Sequence, residues 1–316
     1  MSKGEKVMRR INLGACILGT FVAFAAVMNS GDAKSDSPTP GVGGGVQAVY
    51  GNNIPPDQIE FLSSGDAIIS STSSGSPSKI WETLEHGERV ECISCIPAVA
   101  PLLYDADPHT REIAAWWLRR RMFGVFGPGE VYQQTLGTLA DQGQSPARRA
   151  DAAYAIGEFL ETAGVAAEAT AIANDPDPTV RAAAASALGR LNDEGSGALS
   201  KALADTDSRV KLAGLASAGR VNTFSDIASV SALLGDSDAQ VRRRSAEILD
   251  QMRAKDSVGA LVAMAQNDAD PNARGAACHA LGSIGDASAM PALTAIAKND
   301  SDSLVRDLAQ IALNQL

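Results

Sequence analysis

The sequence predicts an all-α fold, a right-handed α-solenoid of about seven helix pairs that follows an N-terminal targeting segment and a linker. Three observations carry that prediction. A basic residue returns at Arg111, Arg149, Arg181, Lys211, Arg242, Arg274 and Arg306, with steps of 30–32 residues after the first interval. Apolar residues inside each copy recur at helical spacing, as at Val180, Ala184, Ala187, Leu188 and Leu191. The chain is 45 % hydrophobic but only 4 % aromatic, so its core draws on small aliphatic residues that suit thin, closely packed helices. Self-similarity at such a period marks stacked repeats, each of which buries its apolar face on its neighbours.

Residues 1–33 read as a signal peptide or an N-terminal membrane anchor. Lys3, Lys6, Arg9 and Arg10 precede an apolar run over 11–28, the order of a basic flank and an export segment. As a helix that run spans about 27 Å, close to the thickness of a bilayer core. Small-residue cleavage positions follow at Ala23-Phe24-Ala25 and Gly31-Asp32-Ala33, so the cleaved and the retained form both stay open. Either form places the rest of the chain outside the cytoplasm, in the periplasm or cell envelope, because the positive flank stays inside. Residues 34–78 are rich in Gly, Ser and Pro and read as a flexible linker that buries too little to order itself. Only Ile59-Glu60-Phe61-Leu62 and Ile68-Ile69 interrupt that composition. Residues 79–96 read as an N-terminal cap containing a Cys-x-x-Cys, and 97–316 as the repeats.

Each repeat reads as two helices. The second starts at an acidic turn, with Asp as N-cap and often Pro at the first helical position, as in Asp175-Pro176-Asp177-Pro178. The first precedes that turn, as over 260–265 and 291–297.

The pattern Asp…Val-Arg…Ala-x-x-Ala-Leu-Gly, clearest from Asp175 through Val180-Arg181 to Ala184 and Ala187-Leu188-Gly189, resembles HEAT repeats. It is most similar to the short repeats of phycobilisome (PBS) lyase-type proteins, over residues 97–316. The resemblance implies a ladder in which the turn Asp and the basic residue six positions later link neighbouring repeats. The matching pairs are Asp105/Arg111, Asp175/Arg181, Asp205/Lys211, Asp236/Arg242, Asp268/Arg274 and Asp300/Arg306. Gly143 stands where the second copy's Asp belongs, which puts the rung of Arg149 in doubt. The same resemblance spans phycobilin lyases and di-iron deoxyhypusine hydroxylases, which ligate iron through His-Glu pairs. Here His86, His109 and His279 are followed by Gly87, Thr110 and Ala280, so that iron site has no counterpart; no metal or cofactor is expected.

Six Asp-x-Asp turns invite a calcium reading, but the ladder and the N-caps account for both carboxylates of each. Cys92-Ile93-Ser94-Cys95 has three readings: a structural disulfide or two thiols, a redox pair, or half of a zinc site. The least repeat-like stretch is 114–132, where Trp117 replaces a small residue and Arg119-Arg120-Arg121 forms a basic cluster. Trp116, Arg119, Arg120, Arg121, Phe123 and Phe126 are therefore the candidate binding residues, since Trp and Arg anchor interfaces; an end cap explains the same residues.

A formal net charge of −10 excludes nucleic acid as the main partner, because phosphate neutralisation needs a basic face. The expected function is a non-catalytic, extracytoplasmic scaffold that binds another protein, touching a membrane only through the N-terminal segment. Two alternatives stand beside it: a PBS lyase-type enzyme or chaperone acting on a bound protein or chromophore, and thiol redox exchange through Cys92 and Cys95.

Overall fold

The computed structural model describes residues 64–88, 90, 92–122, 129–191 and 196–316. The expected leader and the linker up to residue 63 lie outside the described residues, as do Phe123 and Phe126. Among the described residues there are sixteen helices and no strand, and none of these helices is long and apolar enough to cross a membrane.

The helices fall into pairs. α1 (Gly65–Thr72) precedes α2 (Pro77–His86). α3 (Ile96–Val99), lengthened by the 3-10 turns Ile93–Cys95 and Ala100–Tyr104, precedes α4 (Pro108–Met122). α5 (Glu130–Ala140) precedes α6 (Pro146–Phe159), and α7 (Gly164–Asn174) precedes α8 (Pro178–Leu188). Then follow α9 (Ser196–Leu203) with α10 (Ser208–Ala218), and α11 (Ile227–Ala232) with α12 (Ala239–Gln251). The last pairs are α13 (Val258–Asn267) with α14 (Pro271–Ile284), and α15 (Met290–Asn299) with α16 (Ser303–Leu313). The second helices stack in chain order, α4 on α6, α6 on α8 and so on to α14 on α16, and the first helices pack against them. Residues 97–316 thus form a solenoid of seven helix pairs.

Local chemistry starts each second helix where the sequence places it. Asp177, Asp207, Asp238, Asp270 and Asp302 sit in extended backbone, and each accepts the amide of the residue two positions on. Pro146, Pro178 and Pro271 occupy first-turn positions, where a missing N–H costs nothing. The helices then approach closely because their contact residues are small. A Cβ added to Gly157 of α6 would lie 2.8 Å from the Ala187 Cα of α8.

Part of the stretch that composition assigns to a flexible linker is helical, over Gly65–Thr72. Ser64 caps α1 by accepting the Ala67 amide at 3.1 Å, and Ala67, Ile68 and Ser71 are buried. Ile68 packs under the chain turn at Gly87, against α2. A window average sees mostly serine here; one well-placed isoleucine with a neighbouring helix to lean on is enough. Aligned on buried Ile80 and Val180, α2 places Trp81 in the slot of the ladder arginine, although its cap Ser76 lies four residues before Ile80 where Asp177 lies three before Val180. Among the described residues, α1 and α2 thus form a further, degenerate helix pair ahead of the seven.

The buried residues form two clusters. One runs from Leu139 to Ala312 along the later repeats. The other collects the large side chains of the N-terminal end around Trp117, Tyr132 and Phe159.

Candidate interaction surface

The ladder is present, with one correction to its pairing. From Arg149 to Arg274 each basic side chain of the series bridges to the turn Asp of the following repeat, not to the carboxylate of its own turn. Arg181 holds Asp205 at 2.7 and 2.9 Å, Arg242 holds Asp268 at 2.7 Å through both nitrogens, and Arg274 holds Asp300 at 2.8 Å through both. Lys211 pairs with Asp236. What the basic residue takes from its own turn is backbone: Arg181 donates to the Asp175 carbonyl at 2.9 Å, and Arg242 to that of Asp236 at 2.9 Å. The reason is reach, since six residues on, the side chain has climbed one helical turn and spans the joint between repeats.

This geometry moves the gap left by Gly143. Arg149 keeps a full rung, donating to Asp175 at 2.9 and 3.0 Å, and this pair is the most buried of the series. The repeat that loses its partner is the preceding one, where Arg111 turns to Asp151 of α6 at 3.2 Å. The turn carboxylates are saturated, because Asp175, Asp205, Asp236, Asp268 and Asp300 also accept the amide of the second Asp of their turn. The guanidiniums of Arg242 and Arg274 hold Asp268 and Asp300 below the usual carboxylate range.

The N-terminal patch divides into structural and exposed members. Trp117 is fully buried; its indole N–H donates to the Gly87 carbonyl at 3.0 Å. Arg121, expected as a binding residue, is instead buried, 3 % exposed, and lies 3.6 Å over the Trp117 ring. It donates to the carbonyls of Gly87, Glu88, Val90 and Trp117 and so clamps the loop after α2. Only a guanidinium satisfies that many backbone acceptors at once. Trp116 and Arg119 are half-buried, and exposed Arg120 pairs with Glu88 at 2.6 Å.

In the repeat register Trp116 occupies the slot of Tyr154, Ser186, Ala216, Glu247 and His279. That slot is at least partly exposed on every second helix from α4 to α14, and Tyr154 stands 46 % exposed on α6. Between α4 and α6 it borders a depression of about 280 Å³ lined by Glu112, Asp151, Glu158, Arg111 and Arg190. Burial raises the pKa of both Asp151 and Glu158, and Arg190 pairs with Glu158. Sequence reasoning missed Tyr154, although its equivalence to Trp116 is legible once the copies are aligned on Arg111 and Arg149. A larger groove, about 580 Å³, lies between the 93–104 run and α5; Ile93, Ile96, Pro97 and Tyr104 line it, with the Arg148 guanidinium stacked 3.9 Å from the Tyr104 ring.

Cys92 and Cys95 form a disulfide. Cys278 is a buried thiol in α14, its pKa pushed up to about 12 by burial. The histidines do not converge: His86 bonds the Glu82 carbonyl at 2.6 Å, His109 packs edge-on to Trp81, and His279 pairs with Asp250 at 3.1 Å. Those residues do not fit an iron site. Glu168 escaped the sequence reading altogether. It is fully buried in α7, in the slot that Leu261 and Leu293 occupy in α13 and α15, and neither carboxyl oxygen has a hydrogen-bond partner.

A family model for HEAT repeats matches residues 133–219, 166–241 and 227–314, together more than half of the chain. The chain belongs to the HEAT-repeat family. Among solved structures it is similar to Escherichia coli YibA, with a TM-score of 0.54 and 15 % identity over 84 % of this chain and 100 % of that one. It is also similar to the complex of CpcE and CpcF of phycocyanin lyase from Nostoc, with a TM-score of 0.39, 20 % identity and coverage of 70 % and 94 %. Human deoxyhypusine hydroxylase aligns with a TM-score of 0.36, 18 % identity and coverage of 83 % and 99 %. No curated protein sequence matches the chain.

Proposed function

We propose that this protein is an extracytoplasmic HEAT-repeat scaffold that captures another protein on the exposed face of its second helices. The observation that carries the reading is the outward register slot. At the N-terminal end that slot holds Trp116 and Tyr154, flanked by the charged pair Arg120–Glu88 and the pair Arg190–Glu158. Rigid aromatic side chains with charged neighbours concentrate binding energy in interfaces. The same slot in later repeats carries Ser186 and Ala216, which offer little to grip.

The location rests on the leader sequence. A phosphatase reporter fused after Ser78 is expected to be active outside the cytoplasm. An inactive fusion alongside an active cytoplasmic reporter overturns that part of the reading.

The binding surface has its own test. In affinity capture from an envelope fraction, the full chain carrying Trp116→Ala and Tyr154→Ala is expected to lose the proteins that the wild type retains, with its helical melt within a few degrees. Unchanged capture by the double variant places the surface elsewhere.

A further inference from the structure

We propose that the Cys92–Cys95 disulfide is an exchange site that takes a thiol from a cysteine-bearing apolar peptide segment of another protein. This is a second activity, independent of capture on the second-helix face.

As a crosslink the bond does little. It joins residues three apart in sequence, closing a ring within one segment and tying no two helices together. Cross-linking removes least chain entropy from such short rings. Its two sulfurs are differently placed. Cys95 is fully buried, whereas Cys92 is half-exposed, with exposed Ser94 beside it, its hydroxyl 3.3 Å from the Cys92 sulfur. An incoming thiolate therefore meets Cys92 first. Ile93, next to Cys92 in the chain, is 59 % exposed, and it lines the groove of about 580 Å³ that continues over Ile96, Pro97 and Tyr104. Neither sulfur lines the groove, but Ile93 adjoins Cys92 in the chain, so a segment held against Ile93 has its neighbouring residues within reach of the exposed sulfur.

The exchange balances without an added oxidant. The partner's thiolate attacks the Cys92 sulfur, a new sulfur–sulfur bond forms, and the Cys92–Cys95 bond breaks. The Cys95 sulfur leaves with the electron pair and takes up the proton that the partner's thiol gave up. The Gly65 carbonyl oxygen, 3.5 Å from the Cys95 sulfur, accepts the resulting S–H. Gly65 is needed for that approach, since a Cβ there would stand 3.0 Å from the Cys92 sulfur and 3.6 Å from that of Cys95. The reverse attack by Cys95 releases the partner, so capture is reversible.

The test uses the full chain and two probes: glutathione, and a synthetic peptide whose single cysteine is flanked by leucines. Mixed disulfides are located by mass mapping, which separates them from Cys16 and Cys278. In the folded wild type, dithiothreitol is expected to reduce the bond with the helical spectrum unchanged. In Cys95→Ser, Cys92 is expected to exchange with the disulfide-activated peptide about tenfold faster than Cys95 does in Cys92→Ser, because access governs the rate. Ile93→Ser should lower the rate with the peptide towards that with glutathione and leave the glutathione rate unchanged. A wild-type bond that resists reduction until the chain melts marks a structural crosslink and overturns the proposal. Equal rates for the two cysteines, or a peptide no faster than glutathione, overturn it as well.

Discussion

Glu168 shows how much one side chain can matter. A carboxyl group in a core leucine slot, with no hydrogen-bond partner, is disfavoured in its charged form, and burial pushes its pKa well above the usual glutamate range. The folded chain holds the proton that the unfolded chain releases. Stability is therefore intact below the ordinary glutamate pKa and is lost as the pH rises from there towards the folded value. Glu168→Leu is expected to raise stability near pH 8 by about 1–3 kcal/mol, and much less near pH 4, as the cost of an unsatisfied buried polar group is relieved. Denaturant melts at the two pH values check this; parallel pH profiles for wild type and variant would refute it. Arg242 is the opposite case. It serves Asp268 of the next repeat and the Asp236 carbonyl of its own, so Arg242→Ala is expected to cost about 1–3 kcal/mol by leaving a partly buried carboxylate unpaired. A loss within about 0.5 kcal/mol, the scale of a surface substitution, would mean that the rung carries no load.

At the scale of helices, two contacts depend on residue size. α6 meets α8 through Gly157, where an added Cβ would press on the Ala187 backbone at 2.8 Å. Helix propensity alone favours Gly157→Ala by about 1 kcal/mol. The contact predicts a net loss instead, because neither backbone can retreat without opening the joint, and a thermal melt decides the sign. α4 makes the complementary choice, with the large Trp117 fully buried where α8 has Ala187. Trp117→Ala is expected to cost about 3–5 kcal/mol, as for other large buried aromatics, while Trp116→Ala barely moves the melt. The small-residue slot and its replacement by Trp117 were legible in the aligned copies, and so were the acidic caps, because both depend on local spacing. The pairing of each rung was not. A sequence offset of six puts Asp175 and Arg181 in one turn, but which carboxylate the guanidinium reaches depends on how far one repeat is displaced from the next. Arg121 misled for a related reason, since a buried arginine serving carbonyls and an exposed one awaiting a partner have the same sequence context.

Among the described residues the ladder is open at its first and last repeats, which makes those repeats the weakly fastened ones. At the start, Trp81 stands in the basic slot, and the carboxylate of Asp105 caps its own turn by accepting the Asp107 amide at 2.8 Å. At the finish, Arg306 donates to the Asp300 and Ser301 carbonyls and has no carboxylate rung among the described residues. α16 also turns polar on the side that would meet another copy, with Asp307, Gln310 and Asn314 exposed where α14 has Gly275, Cys278 and Gly282. Stability in such an array is a sum over neighbouring joints, so the last pair should open without the rest. Cys278 reports that opening. It is fully buried between Gly275, which faces Leu308, and Gly282, which faces Ala312, and its raised pKa keeps it protonated at pH 8. Asp300→Ala removes the rung from Arg274 that fastens this pair, and alkylation of Cys278 is expected to accelerate about tenfold, the population change of roughly 1.4 kcal/mol. Arg306→Ala, which removes no rung, should leave that rate within about twofold of wild type on the same scale. If both substitutions accelerate alkylation equally, the chain opens as one unit and the joints are not independent. If neither does, the last pair is held by apolar packing against α14, and its charged rung is dispensable.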